Sequence, residues 1–144
     1  MKIKIREIQS KIIKLLKRKN KHLYLLAKDN CSELSRLAGC LILEKIKFRV
    51  FIIKGEGVMD KNQCHDVLLI EHNKKYYLVD PTVWQFFKYK RNILIGEVED
   101  VKSALDVLIK IYKGKWKVSE ELKKNSCAQK NKWKKIIEQN IDES

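Results

Sequence analysis

The stretch from Lys47 to Pro81 constrains the fold more than any other part of the chain. It holds three runs rich in β-branched and aromatic residues: Lys47 to Lys54 (KFRVFIIK), Cys64 to Glu71 (CHDVLLIE) and Lys75 to Val79 (KYYLV). Such residues fit a pleated, half-buried surface, so each run reads as a strand. Gly55 and Gly57 mark the turn after the first run. His72-Asn73-Lys74 is a polar break of hairpin length between the second and the third. Pro81, the only proline, ends the pairing because it brings no N–H to a ladder.

Helical patterns flank these strands. Ile5, Ile8, Ile12, Ile13, Leu15 and Leu16 recur at helical spacing among Lys and Arg, which predicts an amphipathic helix from about Ile5 to Lys19. Its basic face suits solvent, a membrane surface or nucleic acid. Asp29 and Asn30 are good N-cap residues, and Glu33 follows Asn30 at capping-box distance. A second helix is therefore expected to begin at Cys31 and to bury Leu34, Leu37, Ala38, Leu41 and Ile42. Val98 to Lys113 has the apolar spacing of a third helix, with Gly114 as its stop. Trp116 to Ile141 is polar and lysine-rich, punctuated by Trp133, Ile136 and Ile137, and reads as one or two short helices.

A length of 144 residues suffices for one domain with its own core, and 44% hydrophobic content excludes disorder over the whole chain. Lys and Arg number 32 against 18 Asp and Glu, a net charge of +14. The excess sits at the ends: residues 1–22 hold nine basic and one acidic side chain, residues 110–135 ten and two, and residues 23–109 thirteen and twelve. The ends, rather than the central fold, are thus the candidate contacts for an acidic protein or nucleic acid. A lysine-rich genome would give the same excess without a partner.

Cys31, Cys40, Cys64 and Cys127 have neither CxxC spacing nor the density of a disulfide scaffold, so reduced thiols are expected. Cys64, His65 and His72 lack a conventional zinc spacing, and neither a metal nor a cofactor is expected. His22, among lysines, reads as solvated. No apolar stretch of signal-peptide type follows the basic N-terminus, and no segment approaches a membrane span. The expected location is cytoplasmic, with export as an effector lacking a cleavable signal as the alternative.

Three residues combine into a chemical hypothesis. A thiol at the first position of a helix feels the positive end of the helix dipole, which lowers its pKa and makes Cys31 a candidate nucleophile; the bland alternative is a buried structural cysteine. If the second and third strands pair through an even loop centred between His72 and Asn73, Ile70 faces Lys75 and His65 stands directly opposite Asp80. Asp80 would then hold one imidazole nitrogen and leave the other to face a thiol. Taken singly, His65 reads as a hydrogen-bonded strand histidine and Asp80 as an Asx turn before Pro81. Nucleophile, base and orienter drawn from separate elements favour the catalytic reading.

The segments NCSELSRLAGC and CHDVLLIEHNKKYYLVDPTVWQFF resemble the transglutaminase-like and papain-like superfamily of Cys-His-Asp enzymes over about residues 29 to 87. The stretch after Asp80, ending in Gln85-Phe86, is also similar to small bacterial papain-fold toxins and glutamine-deamidase effectors. The resemblance implies an α+β fold in which a helix opened by the catalytic Cys packs on a small antiparallel sheet with flanking helices. It implies Cys31 as nucleophile, His65 as general base and Asp80 as its orienter. Asn30 is a candidate second oxyanion donor beside the Cys31 N–H, in competition with its capping role. The expectation is therefore a single domain over 1–144: a basic N-terminal helix in 1–28, a catalytic core in 29–87 and basic C-terminal helices in 98–144. Its expected activity is thiol acyl transfer on a protein or peptide amide, with glutamine deamidation ahead of proteolysis and transglutamination. A basic, non-enzymatic binding module is the competing class.

Overall fold

The computed structural model describes residues 31–45, 49–60, 63–83 and 94–143. Their order is α1 (Cys31–Lys45), β1 (Arg49–Glu56), β2 (Cys64–His72), β3 (Lys75–Asp80), β4 (Leu94–Val98), α2 (Val101–Tyr112), β5 (Lys115–Leu122) and α3 (Lys130–Glu143). The strands form one antiparallel sheet in the order β4-β3-β2-β1-β5, so the chain has an α+β fold. No helix among the described residues is long and apolar enough to cross a membrane. The expected helix over 5–19 lies outside the described residues, as do Asn30, His22 and the stretch containing Gln85 and Phe86.

Alternation along the strands gives the sheet two buried faces. Val50 and Ile52 of β1, Leu68 and Ile70 of β2, and Tyr77 and Val79 of β3 meet Leu34, Leu37, Ala38 and Ile42 of α1. Ile53, Val67, Leu69 and Leu78 point the other way and meet Ala104, Leu108 and Tyr112 of α2. The core strands therefore read as nearly continuous apolar runs, as burial on both faces demands. Gly39 lets α1 settle close to the sheet, since a Cβ there would lie 2.5 Å from Leu122 Cδ1.

The hairpin between β2 and β3 differs from its expected register. Asn73 and Lys74 form the turn with φ of 49° and 62°, the left-handed pair that a two-residue type I′ hairpin requires. His72 stays in the strand and pairs with Lys75, and Leu68 pairs with Val79. Partners are displaced by two residues from the expected alignment, so His65 is not directly opposite Asp80. A shift of two leaves every side chain on its original face, whereas a shift of one would have reversed them all.

Further differences have local causes. Gly55 lies inside β1 rather than in the turn, because its bare backbone receives the Trp116 ring; a Cβ there would lie 2.6 Å from Trp116 Cζ2. Residues 94–98 form a strand before α2, and α2 starts later than expected, at Val101, where the Asp100 carboxylate accepts from the Ser103 N–H at 2.7 Å. Residues 115–122 form β5 instead of a helix, so residues 98–144 are not all helical. A bulge hid β5: Ile52 pairs with Glu120 and Ile53 with Val118, leaving Ser119 unmatched. Trp116 consequently joins the α2 face while Leu122 joins the α1 face.

The expectation of reduced thiols is also corrected. Cys40 of α1 and Cys127, in the short turn Ser126–Gln129 before α3, form a disulfide across 87 residues of sequence. Tertiary approach of α1 and the C-terminal segment creates the pair, and no local spacing announces it. Cys64 is an exposed free cysteine.

Candidate active site

Asp80 is the last residue of β3, and its carboxylate is fully buried yet richly supplied with donors. Oδ1 accepts the Thr82 backbone N–H at 3.0 Å and the Thr82 hydroxyl at 3.4 Å. Oδ2 accepts from the Tyr112 hydroxyl and from His65 Nε2, the latter at 2.7 Å. The Asx-type turn through Pro81 thus ends the strand and at the same time orients the carboxylate. A buried carboxylate needs such partners, because an unpaired one would carry a desolvation cost of several kcal/mol, on the order of the penalty for any buried ion.

The same bond fixes the histidine. A carboxylate oxygen accepts, so the 2.7 Å contact is read with His65 Nε2–H as donor to Asp80 Oδ2, which fixes the orientation of the ring. His65 is fully buried near the start of β2. The Tyr112 ring lies 5.3 Å away, centroid to centroid, and the Trp116 ring meets it edge-on at 6.2 Å and 87°. Trp116 Nε1–H donates to the Lys113 carbonyl at 2.8 Å, which holds the indole over Gly55. These rings exclude water from the His65–Asp80 bond and strengthen it electrostatically.

Burial, and secondly the neighbouring Asp80 charge, push the Tyr112 phenol far above its ordinary pKa, so it remains a donor. Tyr112 and Trp116 were missed in the sequence. Tyr112 sits at the end of an amphipathic helix, where an aromatic reads as ordinary core, and Trp116 lies near the start of β5, in a lysine-rich stretch whose composition predicts helix.

Cys31 is placed by its backbone; its side chain is not described. The Ser35 hydroxyl donates to the Asp66 carbonyl at 2.9 Å, pinning the second turn of α1 beside the start of β2. Cys31 precedes Ser35 by one helical turn, about 6 Å along the axis. The first turn of α1 therefore stands at the end of the sheet where His65 lies. The helix covers one face, however, and His65 and Asp80 point to the other, so any approach between them is around the strand end. The structure thus brings His65 and Asp80 into contact and sets the N–H groups of the first α1 turn at their end of the sheet. Asn30 lies outside the described residues.

The zinc set considered from sequence is not brought together, since His65 and His72 stand at opposite ends of β2. Among the described residues, no group of three or more His, Cys, Asp and Glu converges as metal ligands. A cavity lined by Leu43, Glu44, Lys124, Cys127 and Lys130 lies beside the disulfide, at the opposite end of α1 from Cys31. Comparisons with family models, curated proteins and solved structures found no match to the chain.

Proposed function

We propose that the chain is a thiol acyl-transfer enzyme acting on protein amides, with Cys31 as nucleophile, His65 as general base and acid, and Asp80 as orienter. The observation that carries this reading is the buried His65–Asp80 bond, whose carboxylate is saturated by Thr82 and Tyr112 at the sheet end where α1 opens. A structural histidine needs one partner. A carboxylate held from four directions is built to keep the ring fixed while its charge changes.

In the proposed reaction His65 Nδ1 takes the Cys31 proton, and the thiolate attacks the carbonyl carbon of a carboxamide. Negative charge develops on the carbonyl oxygen, where the backbone N–H groups of the first α1 turn are natural donors, with Asn30 as a second source. The C–N bond breaks as the imidazolium returns its proton to the departing nitrogen, leaving a thioester on Cys31. Water then attacks the thioester with His65 again as base, releasing a carboxylate and the thiol.

A glutamine side chain is the proposed carboxamide. This choice follows the resemblance of the stretch after Asp80 to glutamine-deamidase effectors. The Cys40–Cys127 disulfide supports work in an oxidising setting, in line with an exported effector.

The test is a host-cell lysate incubated with the protein or with Cys31→Ser, followed by peptide mass spectrometry. Conversion of Gln to Glu that depends on Cys31, without new chain termini, is expected. New termini would make the enzyme a protease, and glutamine-linked amines a transglutaminase. No Cys31-dependent change would leave the basic binding module as the better reading.

A further inference from the structure

Beside the His65–Asp80 contact, a second polar cluster at this end of the sheet centres on Arg36. One arm of its guanidinium, Nη1, donates to the Ser32 carbonyl at 3.2 Å, to the Ser32 hydroxyl at 2.5 Å and to Asp66 Oδ2 at 3.0 Å. The other, Nη2, reaches Glu120 Oε1 at 2.8 Å. Ser32 follows Cys31 directly, and Asp66 follows His65 directly. A single side chain therefore joins the residue after the proposed nucleophile to the residue after the proposed base.

Two features show that this junction is built. Ser35, one residue before Arg36, donates to the backbone carbonyl of the same Asp66, so α1 grips β2 at that residue twice. The β5 bulge at Ser119 supplies the third anchor. Without it, Glu120 would share a face with Trp116; with it, Trp116 lies against His65 while Glu120 pairs with Arg36 of α1. A bulge that re-aims side chains beside a site is a feature rather than a defect. Arg suits the role because its planar fork serves several acceptors at fixed angles, which a lysine ammonium does not.

We propose that Arg36 is a positioning residue: by tying Ser32 to Asp66 and Glu120, it holds the first turn of α1 at the start of β2, the strand end around which Cys31 and His65 would have to meet. The inference rests on the acyl-transfer reading above. Arg36 touches neither substrate nor reacting atoms in this account.

The experiment is the rate of Cys31 alkylation by iodoacetamide as a function of pH, with Cys64 as internal control, for the wild type, Arg36→Gln and Arg36→Lys. Loss of charge-assisted hydrogen bonds of this kind should slow Cys31 on the acidic side by about tenfold in Arg36→Gln. Arg36→Lys should recover part of the rate, and Cys64 should not change. A merely structural arginine would lower the melting temperature and leave the profile of the folded protein as it was. An unchanged Arg36→Gln profile would overturn the proposal while leaving the acyl-transfer reading intact. A wild type without acid-side reactivity at Cys31 would overturn both. If Arg36→Gln does not fold, the double variant Arg36→Gln/Asp66→Asn, which leaves neither charge buried alone, decides in the same way.

Discussion

His65 Nε2 lies 2.7 Å from Asp80 Oδ2, although the β2–β3 register sets the two residues on a diagonal rather than face to face. Extending the observed pairing, Asp80 stands across from Val67, two residues beyond His65. Diagonal neighbours on one face are within reach of a ring and a carboxylate, and the Thr82 N–H turns the carboxylate toward the ring. The contact therefore depends on the face each residue occupies more than on the register.

Asp80→Asn should be costly to the fold. An amide offers one acceptor oxygen where Thr82 donates from one side and Tyr112 and His65 from the other, so a donor ends up against a donor. A loss of about 2–4 kcal/mol is expected from the penalty for buried unsatisfied groups, read by chemical denaturation. An unchanged midpoint would mean that the Asp80 network is not formed in solution.

Tyr112 gives a pH signature. Its native phenol is held protonated well above the ordinary tyrosine value of about 10, while the unfolded chain ionises there. The contribution is thus fully present below pH ~10 and is lost as pH rises beyond it. Tyr112→Phe should lower stability at neutral pH and make the alkaline decline shallower than in the wild type. Parallel declines for the two proteins would contradict the buried Tyr112–Asp80 bond.

The sequence made some of this legible and hid the rest for physical reasons. The helix over Cys31–Lys45 could be read from its apolar spacing, and β2 and β3 from their residue types, while the capping residue Asn30 lies outside the described residues. The break at His72-Asn73-Lys74 marks the hairpin, but nothing local centres the turn on Asn73-Lys74 rather than on His72-Asn73, because a lysine at positive φ has no sequence signature. LIGEV, with five residues and a glycine, is too short to announce a strand, and β5 was obscured by its lysines and by the bulge that breaks its alternation. Thr82 lay in a motif already noted, but nothing local to Tyr112 or Trp116 shows that chain folding returns them to His65.

The disulfide should matter to stability. Closing a loop this long restricts the unfolded chain, and removing such a bond costs about 2–4 kcal/mol. A reductant should lower the unfolding midpoint of the wild type and have no effect on a Cys40→Ser/Cys127→Ser variant. Equal midpoints for the wild type with and without reductant would show that the bond is not formed or does not bear on the fold.

The most direct test of the central claim is brief iodoacetamide labelling of the unreduced protein at about pH 6, with peptide mapping, where ordinary thiols are protonated. The Cys40–Cys127 bond removes two cysteines from the comparison and leaves exposed Cys64 as the control. The account predicts that Cys31 labels well ahead of Cys64 and that His65→Ala abolishes the difference. Equal labelling of Cys31 and Cys64, or preferential Cys31 labelling that survives His65→Ala in a folded protein, would contradict it.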